Sequence, residues 1–280
     1  MGNCIFLRRG APPSSGPPKG KTLDEYTWEE ISYISSNGLA GEYGFQVGGA
    51  KAITLNGTVG DLTLDNYQTY AFIIGINHNA ELEGNNLIHF QIGKTALTNG
   101  VDIAFIDSEY DDNGNTAGFR INLSNTNVGG WEASYMRKSI CGTSLTSYSG
   151  TFIGAIPDDL RLALKPVIKY TDNVGGASGN VAANITATTD YFFLPSQYEM
   201  SGEINLSNSY EANFQQQYDY YKTLTSKIKY AHNDTSAAVK TWCRSLYYGF
   251  QSWVYIKATD GSENINASGS SFGVPPCFCV

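Results

Sequence analysis

The stretch "RSLYYGFQSWVYIKATDG", residues 244–261, sets the terms for reading the rest of the chain. Tyr247, Tyr248, Phe250, Trp253 and Tyr255 crowd into nine positions, with Gly249, Gln251 and Ser252 among them. Extended backbone sends successive side chains to opposite faces. Alternation therefore separates Tyr248 and Phe250 from Tyr247, Trp253 and Tyr255, unless a bulge at Gly249 intervenes. These rings cannot all enter one core, so some are expected at the surface. Exposed Tyr and Trp supply much contact area at low entropy cost and dominate binding hot spots. The continuation "WVYIKATDGSENI" (253–265) reads as a hairpin turning at Asp260–Gly261.

Upstream, strand-like segments rich in Val, Ile, Phe and Tyr recur between Gly/Asn/Asp turns. They are "KAITLNG" (51–57), "YAFIIGINH" (70–78), "LIHFQIG" (87–93), "VDIAFID" (101–107), "PVIKYTDN" (166–173) and "ATTDYFFLPS" (187–196), with "GVPPCFCV" as a last strand. Helical spacing appears after Thr27, where Trp28, Ile31 and Ile34 share a face and Thr27/Glu30 or Thr22/Glu25 offer capping boxes. Gly38 is suited to stop that helix. "GGWEASYMRKSI" (129–140), "IPDDLRLALK" (156–165) and "NFQQQYDYYKTL" (213–224) also read as helices. Strands and helices mix without regular βαβ alternation, so the expected class is α+β. Residues 1–21, with "GAPPSSGPPKGK" (10–21), read as an N-terminal tail and Pro/Gly linker, and 22–280 as the domain.

Composition excludes several functions. Charged residues make up only 16% and the net charge is −8, so nucleic acid is not an expected partner. Apolar runs fall short of the roughly 18–20 residues that cross a bilayer, and "MGNCIFLRRG" lacks the order of a signal peptide. Cytoplasmic synthesis is expected, with no membrane insertion. "GPPKGKT" is not a phosphate loop, because it has three residues between its glycines and its prolines lack N–H groups. "DSEYDDNGNTAG" (107–118) has Thr116 where a calcium loop needs Gly, so it reads as a turn. His78, His89 and His232 have no zinc-site spacing, and no nucleophile elbow is present. Five cysteines show no C-x-x-C, and buried small hydrophobes are the simplest reading. No cofactor, no metal ligand and no catalytic residue is therefore expected.

Longer stretches carry a resemblance from Thr22 to Val280. They include "TWEEISYISSNGLAGEYGFQVGGAKAITLNGTVG", "KTALTNGVDIAFIDS", "GGWEASYMRKSI", "PDDLRLALKPVIKYTDNVGG", "TATTDYFFLPSQYEMSG" and the ending "WCRSL…DG…A…S…GVPPCFCV". The chain resembles an uncharacterised domain family of gut-bacterial and phage proteins. That family is similar to the C-type lectin fold, in the branch holding the formylglycine-generating enzyme and the variable proteins of diversity-generating retroelements. The resemblance implies a C-type lectin-like domain with a variable-type segment over about 242–280. In such variable proteins, reverse transcription mutates template adenines and rewrites the end of the gene. Trp242, Arg244, Ser245, Asp260, Gly261, Ala267, Gly273, Val274, Pro276, Phe278 and Val280 then form the fixed frame. The ligand-binding positions implied are Tyr247, Tyr248, Gly249, Phe250, Ser252, Trp253, Tyr255, Lys257, Thr259, Asn264, Ile265, Asn266, Ser268, Ser270 and Phe272. Trp253 and Lys257 do not arise simply from Asn codons. Cys243, Leu246 and Cys277 depart from the family's usual ending.

The same resemblance implies a receptor-binding protein of a phage tail fibre or tail tip, or of a bacterial surface, and not an enzyme. Its partners would be a host-cell surface protein or glycan and other virion tail proteins, with a homotrimer as an open arrangement. Two alternatives stand beside it: an invariant structural virion protein, and a copper oxidase-like enzyme using Cys277 and Cys279.

Overall fold

Thr27 opens the longest helix, Trp28–Ser36, through a reciprocal capping box. Its hydroxyl accepts from Glu30 N–H at 3.1 Å, and the Glu30 carboxylate accepts from Thr27 N–H at 2.8 Å. Trp28, Ile31 and Ile34 are buried on the inner face, and Gly38 follows the helix at φ +68°, where a side chain would be strained. The structure is a computed structural model that describes residues 16–107, 118–223 and 227–280. Its elements are α+β: small, mostly antiparallel sheets with few and short helices.

The central sheet has five strands, in the order Ala50–Val59, Leu62–Ile76, Ile88–Ile92, Cys277–Cys279 and Phe192–Phe193. The strand from the last residues thus sits inside the sheet, antiparallel to both neighbours. Period-2 alternation gives this sheet two unlike faces. Phe278 stacks on Phe90 at 5.3 Å, with the Trp28 ring edge-on to both. On the other face, Cys277 lies opposite Gln91 and Cys279 opposite His89. A second sheet has three antiparallel strands, Thr241–Leu246, Ser252–Ile256 and Glu263–Ala267. The expected hairpin between the last two forms, and Gly261 takes φ +69° in its turn.

Some elements depart from expectation. The strand expected from residue 70 starts at Leu62, which extends its pairing with Ala50–Val59. "GGWEASYMRKSI" forms a short helix, Gly130–Ala133, and a separate π-helical turn, Met136–Cys141. Ser134 divides them, because its hydroxyl donates to Trp131 C=O and accepts from Arg137 N–H. "NFQQQYDYYKTL" is helical only over Asp219–Thr223. Gln215 is drawn inward, accepting from Ser196 Oγ at 2.6 Å and donating to Tyr170 C=O at 2.7 Å. Those bonds outweigh a local helical preference. The folded part also reaches back before residue 22, since Tyr26 and Tyr43 donate to the carbonyls of Pro18 and Pro17. The turn expected over 107–118 falls almost wholly on 108–117, outside the described residues, as do Cys4 and residues 1–15.

Candidate functional site

The aromatic segment divides into two halves. Residues 247–251 are the tip joining strands Thr241–Leu246 and Ser252–Ile256. Phe250 is 64% exposed there, and Tyr247 and Tyr248 are half-buried. The Tyr247 ring lies 5.0 Å from Tyr248 and 5.6 Å from Phe250, centroid to centroid. It also folds over Gly249, where a Cβ would come within 2.7 Å of it. Beyond the tip, Ser252–Ile256 is the middle strand of its sheet, and both of its faces are covered.

Asn127 builds the surface around this tip. Its side chain is fully buried, yet it makes bonds only to backbone of two other loops. Nδ2 donates to the carbonyls of Phe250 (2.9 Å) and Ser252 (3.1 Å), with a longer contact to Tyr247 C=O. Oδ1 accepts from Gly176 N–H at 2.8 Å. At Gly175 the backbone passes so close that a Cβ would lie 2.0 Å from Asn127 O, and φ is +63°. Gly179 N–H donates to Tyr248 C=O at 3.2 Å. The 268–270 turn joins the group through Ser268, whose hydroxyl donates to Ser124 C=O at 3.0 Å.

Loops 122–129, 173–181, 247–252 and 268–270 therefore form one cap. None of these loops contains Asp, Glu, Lys, Arg or His. Of the ten exposed large hydrophobics among the described residues, five lie on it: Leu123, Val128, Val174, Val181 and Phe250. Isolated exposed apolar residues are ordinary; here five fall on loops that carry no charge. The side chains of the cap are amides, hydroxyls, aliphatic groups and rings.

The expected ligand-binding positions divide into several groups. Tyr247, Tyr248, Gly249, Phe250 and Ser252 belong to the tip, and Asn266 and Ser270 lie at the same end of the sheet, because Ser252 pairs with Ala267. Lys257, Thr259 and Asn264 lie toward the opposite end, four residues of strand or about 13 Å away. Ile265 is half-buried midway, opposite Val254. Trp253, Tyr255, Ser268 and Phe272 require correction, since each is buried. Trp253 has 0% exposure, and Tyr255 and Phe272 pack with Trp242 at 6.4 and 4.4 Å. These four support the surface from below and do not face a ligand. Sequence reasoning missed Asn127, Val128, Val174 and Val181; the available signal was the absence of charge across two Asn/Gly-rich loops.

Beneath the cap lies a buried polar layer. Asp172 Oδ1 accepts from the N–H groups of Val174 (3.0 Å) and Gly175 (3.2 Å), and Oδ2 accepts from Asn208 Nδ2 (2.8 Å). Glu211 accepts from Asp172 N–H and Ser245 Oγ. Burial pushes its carboxyl up to about 7, against the opposing pull of those bonds and of Arg244.

Deeper still is an ionic centre. Lys169 Nζ lies 2.6 Å from Glu83 Oε2, 3.0 Å from Glu199 Oε1 and 2.8 Å from Tyr218 Oη, all buried. Arg244 grips both oxygens of Glu199 as a fork and also donates to Thr171 Oγ1 and Leu194 C=O. Burial alone would raise the Glu199 carboxyl, but Arg244 and Lys169 hold it well below the usual range. Burial dominates at Glu83 and pushes it up to about 7 despite Lys169. Burial, then Lys169, lowers His78 to about 3. His78, Glu83 and Glu199 bring ligand atoms within 4.8 Å of one another, a grouping with no sequence spacing to announce it. The Lys169 ammonium already fills the place between the carboxylates, so the group is a salt-bridge centre. Cys277 and Cys279 are free and fully buried, and burial raises both thiols, the reverse of what a metal-binding thiolate needs.

Among the described residues, no helix is long and apolar enough to cross a membrane. A family model described as "Domain of unknown function (DUF6273)" matches residues 113–280. That is more than half of the chain, which therefore belongs to this family. No curated protein and no solved structure matches it.

Proposed function

We propose that this member of the family is a binding protein that takes a protein or glycan ligand on the charge-free cap. The single observation that carries the reading is the union of four uncharged loops, joined through Asn127 and Ser268, with half of the exposed large hydrophobics among the described residues upon them. Tyr247, Tyr248 and Phe250 are its anchors, since stiff rings among small polar neighbours make adaptable contact surfaces. Sugar recognition through calcium needs a carboxylate cage, and these loops supply no carboxylate. Ring stacking and amide hydrogen bonds are left as the means of recognition.

The finer reading is a C-type lectin-like receptor-binding protein of a phage tail or bacterial surface, diversified along its C-terminal segment. Its support is the resemblance of the sequence, together with a mostly antiparallel frame. Side chains on such loops can change while the frame stays fixed. Weak single sites suffice when attachment is multivalent.

The test is binding to bacterial cells of the source community by the parent and by Tyr247→Ala/Tyr248→Ala/Phe250→Ala. Loss of binding with an unchanged unfolding midpoint is the expected result. Undiminished binding by the folded triple variant would remove the cap from this role.

A further inference from the structure

We propose that Lys169 and Glu83 condense into an intramolecular amide, a covalent staple between the strand Val167–Asp172 and the helical turn Ala80–Glu83. Three observations carry it. The first is proximity: Nζ of Lys169 lies 2.6 Å from Glu83 Oε2, with both side chains shut away from water. A fixed, buried pair behaves as an intramolecular reactant with a very high effective concentration.

The second is charge. The centre holds two cations and two carboxylates. Arg244 and Glu199 form a self-sufficient forked pair. Lys169 and Glu83 are the remaining ion pair, with the Phe193 ring 4.3 Å from the ammonium. Burying such a pair is costly, because desolvation offsets the mutual attraction. An amide removes both charges and leaves Arg244 and Glu199 balanced.

The third is the set of surrounding groups. Asn79 Nδ2 donates to Glu83 Oε1 at 3.3 Å and so polarises the bond under attack. Glu199 Oε1 lies 3.0 Å from Nζ, within reach of a proton leaving the nitrogen. The raised Glu83 carboxyl favours its protonated, electrophilic form. Tyr218 Oη, 2.8 Å from Nζ, orients the amine.

The step balances without oxidant or reductant. The Lys169 ammonium passes one proton to Glu83, giving a neutral amine and a carboxylic acid. Nζ attacks Cδ, and the N–C bond forms. Glu199 takes a proton from the nitrogen and returns it to the departing hydroxyl, which leaves as water. The C=O re-forms, and the products are one secondary amide and one water, with Glu199 regenerated.

The staple would join residues 86 positions apart. No disulfide does so, because the four cysteines among the described residues are free. Val167–Asp172 also leads directly into the 173–181 loop, so the staple would anchor one root of the cap. The chemistry does not depend on the cap being a binding surface.

Mass spectrometry of the purified full chain under denaturing conditions tests it. The expected mass is lower than the sequence mass by one water. A tryptic digest should contain the Glu83 peptide joined to the Lys169 peptide, with no cleavage after Lys169. Lys169→Arg should restore the full sequence mass, and Glu199→Gln should lower the joined fraction. Full sequence mass in the parent, with normal cleavage after Lys169, would overturn the proposal.

Discussion

The ionic centre gathers around Lys169, midway along the strand Val167–Asp172, and the cap lies beyond the strand's C-terminal end; the two are built in opposite ways. In the centre, side chains hold side chains: Lys169 meets Glu83 and Glu199, and Arg244 meets Glu199. In the cap, Asn127 and Asp172 hold main-chain N–H and C=O groups, and the outward side chains hold little. Any residue carries a carbonyl, so a loop fixed by its backbone tolerates new side chains. A centre fixed by charge pairs does not. Under the proposed function, this contrast would let one chain combine a rigid frame with a surface free to change.

The largest effect should come from the centre. Glu199→Leu leaves Arg244 buried without a carboxylate partner and Lys169 with Glu83 alone, and should cost about 3–5 kcal/mol of unfolding free energy in a denaturant titration. An effect like that of a surface substitution would mean the centre is hydrated and the contrast false.

The two halves of the aromatic segment should differ almost as sharply. Trp253→Ala should cost about 3–5 kcal/mol, because a fully buried indole leaves a cavity. Phe250→Ala, three residues away, should stay within about 0.5 kcal/mol. Equal costs would put both rings in one environment and contradict the division between tip and strand.

Asn127→Ala should cost about 1–3 kcal/mol, since it strips partners from several backbone groups at once. Hydrogen exchange should quicken at 173–181 and 247–252 together. Faster exchange in one loop alone would show that the loops are held independently.

A further effect is pH-dependent. The Glu211 carboxyl is pushed up to about 7 in the fold, against 4.5 for an ordinary glutamate. Its folded form keeps a proton that the unfolded chain releases. Its contribution is therefore complete below about 4.5 and is lost as pH rises through about 7. Relative to the parent, Glu211→Gln should gain stability across that window, measured as the difference between the two unfolding curves. A flat difference would place Glu211 in water.

The sequence makes the hairpin legible through Asp260–Gly261, the first helix through Thr27 and Glu30, and the excess of aromatics at 247–255 through alternation. It does not show which rings are covered. Trp253 and Tyr255 are buried because other parts of the chain cover their face, Phe272 among them against Tyr255, and layering is a property of distant contacts. Lys169 hid for a related reason. In "VIKYTD" the hydropathy pattern would turn Ile168 inward, yet Ile168 is the exposed residue and Lys169 the buried one. Only the presence of Glu83 and Glu199, far away in sequence, reverses the choice. The cap was half legible: its tip stood out, while Asn127 looked like one polar loop residue among many.

The central claim is that the cap is a surface on which side chains change over a constant frame. Sequencing the 3′ end of the gene across many particles or cells from one population tests it most directly. Substitutions should fall at codons for Tyr247, Tyr248, Phe250, Ser252, Asn266 and Ser270, and match adenines in a nearby near-copy. Trp253, Tyr255, Ser268, Phe272 and Asn127 should stay constant. Substitutions spread evenly over buried and exposed positions, or a uniform sequence with no template copy, would contradict the claim.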